Sequence, residues 1–248
     1  MVGADHFCGL DRMHMIGRLW RGLFRCRRGA SLIEFSLSLP LVFFMGSAGI
    51  EYANYARVQL QVSQLTLNLA DNASRVGLSS ALAATQMREV DINDVLSGAR
   101  MQGAGLKLTT NGRVIISSLE NVRQSYDSAA VQRIHWQRCI GLKSGTGYDS
   151  SYGTTSTTAG TDATLANAGT AMPNGMGDNG YKVNAPSGMG AVFVELNYDY
   201  QPLFGTMYIK NRLIHTTASF VVRDLRDYTQ IFNPSPAATR MTCNLYSS

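Results

Sequence analysis

Charge is what this chain has least of. Asp, Glu, Lys and Arg make up 16% of its 248 residues, against about a quarter in ordinary soluble domains. Polarity comes instead from Ser, Thr, Asn and Gly, a balance common in exported proteins. The formal charge of +5 is confined to one place. Residues 1–29 hold six arginines against Asp5 and Asp11, giving +4, while residues 30–248 carry 16 basic and 15 acidic groups, giving +1. A nucleic-acid binder needs a basic face on its folded body, and this body is neutral, so no nucleic-acid partner is expected. Apolar residues reach 45%, which excludes a wholly disordered chain and also a polytopic membrane protein.

Histidine and cysteine are scarce too. Beyond Gly29 the chain has two of each: His135, His215, Cys139 and Cys243. There is no Cys-x-x-Cys or His-x-x-x-His spacing, so no metal site is expected. His135 and Cys139 would lie about 13 Å apart along a strand, too far for a thiolate–imidazole pair. Residues 175–180 spell Gly-x-Gly-x-x-Gly, but no strand precedes them and no helix follows, so they lack the setting that presents amides to a phosphate. No Walker-type loop occurs, and nothing singles out a pair of carboxylates. The expectation is a non-enzyme without a cofactor.

One long apolar run is present. Residues 30–50 read ASLIEFSLSLPLVFFMGSAGI and contain a single charge, Glu34. About 20 apolar residues suffice to cross a bilayer as a helix. The arginines lie before the run and none lies inside it, which places residues 1–29 in the cytoplasm. Three kinds of segment share this outline. A secretory signal peptide would use residues 37–45 as its apolar core and Gly46-Ser47-Ala48 as its cut site. An uncleaved signal anchor needs no cut. A pilin-type leader is cut on the cytoplasmic side, between Gly29 and Ala30, which makes Glu34 the fifth mature residue. Glu34 separates the three. A carboxylate in a spanning stretch costs a few kcal/mol and a signal peptide gains nothing from it. A filament subunit does, because the carboxylate neutralises the freed N-terminal ammonium of a neighbour. The competing explanation is a Glu34 lodged near the headgroups.

The stretch RRGASLIEFSLSLPLVFFMGSAGIEYANYARVQLQ resembles the N-terminus of the TadE-like minor pilins, or pseudopilins, of the tight-adherence (Flp-type) pilus system. The shared marks are Arg27 and Arg28, Gly29, Ala30, the Glu34-Phe35 pair, Pro40 and the exit Glu51-Tyr52. A leader that ends only at Gly29 is long for a pilin, and Met13 and Met15 are alternative starts. Tyr198-Asp199-Tyr200-Gln201-Pro202-Leu203-Phe204 with the strand after it is similar, more weakly, to the family's carboxyl-terminal strand pair. The resemblance implies cleavage by an aspartic prepilin peptidase and residence in the inner membrane. It further implies a body in the periplasm or on a pilus, and partnership with other pilin and pseudopilin subunits in assembling or priming the filament. Gly29 and Ala30 would then be the processing site, and Glu34 and Phe35 the assembly contact.

The remaining text predicts an α+β body over residues 51–248. Val58, Val62, Leu65, Leu69, Ala73 and Val76 recur at helical steps, marking one apolar face on a helix over 51–82. The long N-terminal helix, spanning and then amphipathic, is expected to pack on its own antiparallel sheet of four to five strands, as in pilins. A short helix follows over 86–101. Strands are predicted at 106–109, 113–119, 131–140, 191–200 and 214–223, the first two joined as a hairpin through Thr110-Asn111-Gly112. In residues 143–190, 23 of 48 are Gly, Ser or Thr, which predicts a mobile loop. In an oxidising compartment Cys139 and Cys243 are expected to form a disulfide. Against the pilin assignment stands a secreted binding domain, released by ordinary signal peptidase, whose 143–190 loop takes a glycan or surface polymer.

Overall fold

The computed structural model describes residues 27–77 and 84–247, with side chains from Ser31 onward. Residues 1–26 of the leader, including Cys8 and Cys26, lie outside the described residues. The chain divides into two units, residues 1–50 and 51–248. The first is the opening part of helix α1 (Arg27–Arg75), which carries Pro40. The second contains the rest of that helix and everything after it.

In the second unit, α1 presents the predicted stripe inward. Val58, Val62, Leu65, Leu69 and Ala73 are all buried in one core with Val192, Val194, Leu196 and Ala218. The helix stops at Arg75, two residues before Gly77, whose φ of 151° is closed to other residues. Its last carbonyls are capped from a distance: Arg226 donates to the carbonyls of Ser74 and Val76, at 3.0 Å each, satisfying acceptors that any helix end leaves open.

Strand β1 (Thr85–Arg88) leads into helix α2 (Glu89–Gln102). Helix α2 buries Ile92, Leu96 and Ala99 and is held to the sheet by a buried ion pair between Glu89 and Arg138. Five strands then form the main sheet: β2 (Gly112–Val122), β3 (Val131–Ile140), β4 (Thr170–Ala171), β5 (Gly190–Asp199) and β6 (Leu213–Val221). Their order is β4-β3-β2-β5-β6, and all neighbours run antiparallel. Strand β7 (Arg226–Phe232) pairs separately, and in parallel, with β1. The architecture is therefore the α+β arrangement of a long helix on an antiparallel sheet.

The sheet is covered on both faces. Val114, Ile116, Trp136, Val192, Val194 and Leu196 join the core of α1 and α2. On the other face Leu119, Ile134 and Phe193 pack under residues of the 143–190 segment, among them Tyr152, Met172, Met176 and Ala185. Its two long edges differ. The outer edge of β3 is occupied, first by β4 and then by the carboxyl-terminal tail, with Cys139 N donating to Met241 O and Gly141 N to Ser247 O, both at 2.7 Å. At the other edge, Val222 N donates to Gly190 O and Tyr200 N to Arg212 O. Even-numbered residues of β6 thus turn their backbone groups to β5, and odd-numbered ones turn theirs outward. The outward groups of Leu213, His215, Thr217, Ser219 and Val221 find no backbone partner among the described residues.

Three expectations require correction. The helix expected over 51–82 ends at Arg75, and residues 78–82 lie outside the described residues. The Asn-Gly hairpin does not form. Leu106 ends a 3₁₀ turn, residues Leu108–Asn111 make one helical turn, and Gly112 opens β2 with an extended φ of −145°. The tight hairpin turn needs positive φ at both central residues. Strand β2 instead finds its partners in β3 and β5, which lie farther along the chain. The 143–190 segment is also not a free loop. Its backbone is satisfied by strand amides: Gln137 Nε2 donates to Gly153 O and its Oε1 accepts from Thr155 N, while Gln132 Nε2 donates to Met172 O and its Oε1 accepts from Ala185 N. Gly169, at φ 84°, passes so close to β3 that a Cβ would sit 2.1 Å from the Ile134 carbonyl.

Candidate membrane anchor and assembly site

Residues 31–46 are exposed on every side of the helix, and Glu34 is their single charge. Leu32, Phe35, Leu41 and Phe43 are each more than 60% exposed. Such a helix has no buried stripe to fold with. It is long and apolar enough to cross a membrane. Two of its hydroxyls are satisfied within the helix, Ser38 by Phe35 O and Ser47 by Phe43 O. Gly29 and Ala30 fall in the first turn of α1, and their surroundings lie outside the described side chains. Glu34 and Phe35 follow within two turns and are exposed. No hydrogen bond or ion pair reaches the Glu34 carboxylate among the described residues.

Glu51, the residue after Ile50, is the opposite case. Its side chain is fully buried. One carboxylate oxygen accepts from Tyr200 Oη at 2.7 Å, and the other accepts from the backbone N–H groups of Leu203 and Phe204 at 3.0 Å. Tyr200 is held in turn by Asn54 Nδ2 at 2.9 Å and by the edge of the Tyr55 ring. Burial, followed by its bond to Glu51, pushes the Tyr200 hydroxyl up to about 12. It therefore remains a proton donor at any physiological pH. A carboxylate satisfied by three donors is a fixed attachment. It ties the first residue of the body to the loop after β5.

A second attachment closes the carboxyl terminus. Cys139 in β3 and Cys243 form the expected disulfide, 104 residues apart in sequence. Beside it Arg113 of β2 is buried and donates to the carbonyls of Gly141, Cys243 and Leu245. The Tyr246 ring lies 4.3 Å over the same guanidinium.

The titratable groups of the sheet are engaged with one another. Ser118 Oγ donates to Glu120 Oε1 at 2.7 Å, and His135 Nδ1 lies 2.8 Å from Glu120 Oε2. The serine therefore bonds the carboxylate and not the imidazole, unlike an activated nucleophile. Burial opposes a charge on His135, but the charge and hydrogen bond of Glu120 outweigh it and raise the pKa. On the other face Glu195 accepts from Ser150 Oγ and Ser151 N, and burial raises its pKa. His215 lies between Asn197 Oδ1 and Tyr152 Oη, and Tyr152 donates to Asp178 at 2.7 Å. Cys139 is committed to the disulfide, so it is no thiol nucleophile. Among the described residues no group of three or more His, Cys, Asp or Glu is placed to hold a metal ion.

Along α1 the body carries a recess of about 700 Å³ rich in amides. Asn54, Gln61, Gln64 and Asn68 line one side and Gln102 and Asn111 the other, with the cations Arg57 and Lys107 and no carboxylate. Asn54, Arg57, Gln61, Gln64 and Asn68 belong to the polar side of α1 that the sequence periodicity separates from the buried stripe, while Gln102 ends α2 and Lys107 and Asn111 follow it.

The structure thus brings Cys139 and Cys243 together and leaves Glu34 and Phe35 on the outside of the apolar segment. Sequence reasoning missed the burial of Glu51 and the tail-gripping role of Arg113. Glu51 carried a signal, a lone acid directly after the apolar run 30–50. Arg113 carried none, because its acceptors lie 28 to 132 residues away. Compared with known proteins, the chain matches no family model, no curated protein and no solved structure.

Proposed function

We propose that this protein is a minor pilin or pseudopilin that serves assembly of a tight-adherence type pilus and performs no catalysis. The observation that carries the proposal is Glu34: an exposed carboxylate without a partner among the described residues, the single charge in residues 30–50 and five residues past Gly29. In a lipid-facing anchor such a group is costly. In a bundle of like helices it is useful, because cleavage between Gly29 and Ala30 creates an ammonium that Glu34 of a neighbour neutralises. On this proposal a prepilin peptidase makes that cut, residues 30–50 hold the subunit in the inner membrane, and the body stands in the periplasm or on the filament. The disulfide supports the placement, since such bonds persist in oxidising compartments. The amide-lined recess offers lateral hydrogen bonds to another pilin or pseudopilin.

The test is the amino-terminal residue and mass of the protein isolated from membranes. A start at Ala30, lost when Gly29 is replaced by valine and accompanied by loss of pili, supports the proposal. A soluble form starting near Gly49 overturns it in favour of a secreted binding domain. Glu34→Gln separates the two roles of the segment, since it leaves processing intact and reduces piliation.

A further inference from the structure

The loop gripped by Glu51 has a composition unlike the rest of the body. Residues 200–212 contain no acid. Leu203 and Met207 are 60% and 65% exposed, and Phe204 is 39% exposed, around a single 3₁₀ turn. They cover no core. Behind them Lys210 and Arg212 are exposed, and neither forms an ion pair among the described residues. Asn211 between them adopts the left-handed conformation, at φ 42°. A cleft of about 620 Å³ opens here, bounded by Tyr52, Tyr55 and Tyr208 together with the two cations.

Glu51 follows Ile50 directly, and its carboxylate holds the backbone of Leu203 and Phe204 at 3.0 Å. The loop is therefore fixed to the residue at which the apolar segment ends. Exposed apolar side chains, tyrosines and basic groups without acids are the chemistry of a surface seated at a bilayer's headgroup level. We infer that the cleft binds the phosphate of an anionic lipid headgroup through Lys210, Arg212 and the tyrosine hydroxyls, while Leu203, Phe204 and Met207 enter the acyl boundary. The inference rests on residues 30–50 lying in a membrane. It adds a second, lateral contact that orients the body on the lipid surface.

The experiment uses the full chain with Cys8 and Cys26 replaced by serine, reconstituted into phosphatidylcholine vesicles with or without phosphatidylglycerol. An environment-sensitive dye is placed at Met207→Cys or, as a reference, at Val42→Cys, and quenching by spin-labelled lipids is read at shallow and deep positions. The expected result is deep quenching at residue 42 in both vesicles and shallow quenching at residue 207 that strengthens with phosphatidylglycerol. Lys210→Gln with Arg212→Gln should weaken the residue 207 signal about thirtyfold in its apparent lipid dependence, roughly fivefold per cation, and leave residue 42 unchanged. Quenching at 42 without quenching at 207 overturns the inference and spares the anchor. No quenching at 42 overturns the anchor, and the inference with it. A cleft that binds inorganic phosphate in detergent through Lys210 and Arg212, but gives no quenching at 207 in vesicles, assigns the site to soluble phosphate and also overturns the lipid assignment.

Discussion

The perturbation with the best-defined magnitude is loss of the Cys139–Cys243 bridge. The bond spans 104 residues, and closing a loop of about 100 residues removes unfolded-state entropy worth about 4–5 kcal/mol. For a folded body of this size each kcal/mol moves the midpoint by about 2–4 °C, so Cys139→Ser with Cys243→Ser should lower Tm by about 8–20 °C. The tail has other attachments, the edge bonds from Cys139 N and Gly141 N and the carbonyls held by Arg113. These persist without the bridge, so the double variant should still fold. The assay is thermal unfolding of the full chain in detergent, with and without reductant, following circular dichroism. Wild type under reductant and the double variant should melt together. A drop of less than about 3 °C would show that the tail bonds alone hold this edge, and the loop-entropy argument would be refuted for this fold. A chain that no longer folds would refute the claim that those bonds suffice.

Four further outcomes follow from the same structure. Leu69→Ala removes a buried side chain from the helix–sheet core and should cost about 2–5 kcal/mol, read by chemical denaturation. Glu51→Gln keeps the shape but weakens three bonds to a carboxylate and should cost about 1–3 kcal/mol; faster proteolysis at residues 200–208 would report it, and an unchanged rate would contradict the attachment. His135 has its pKa raised above 6.5 by Glu120 despite burial. Its contribution is thus fully present below pH 6.5 and lost as pH climbs through the raised value, so Tm should fall on the alkaline side in wild type and flatten in His135→Gln. His215 is exposed as a residue, and partial burial of its ring between Asn197 and Tyr152 lowers its pKa, so it acts in the opposite sense. Its contribution is present above pH 6.5 and is lost as pH falls, and His215→Gln should blunt the acid limb of the same curve.

The periodic parts of this fold were legible, and the parts held by distant polar partners were not. The stripe from Val58 to Ala73 and the alternation in residues 131–140, 191–200 and 214–223 are intrinsic to the chain, because the side chains that share a face repeat with the backbone period; that β3 and β5 are buried on both faces was not written in that alternation. Thr110-Asn111-Gly112 misled because a local turn signal competes with pairing that only the assembled sheet supplies. Residues 143–190 misled for a related reason. Their composition buries little, but Gln132 and Gln137 satisfy their backbone from elsewhere in the sequence. The β1–β7 pair is short, parallel and separated by the whole domain, and offered no pattern to read. At the candidate site, Glu34 could be singled out by its charge and Cys139 with Cys243 by count and compartment. Glu51 could be placed only once the loop that holds it was in view.

The unequal edges of the sheet limit what it can build. In the language of polymer chemistry, the long edges of the main sheet are monofunctional: β3 is terminated by β4 and the tail, and β6 offers a row of backbone groups without backbone partners among the described residues. A monofunctional unit can cap or pair but cannot propagate. Two copies joined through β6 would have no reactive end left between them, and the native sheet cannot extend from molecule to molecule. A filament that includes this subunit must therefore take its repeat from contacts other than strand addition along the long edges of the main sheet, and the β6 edge can be filled only once.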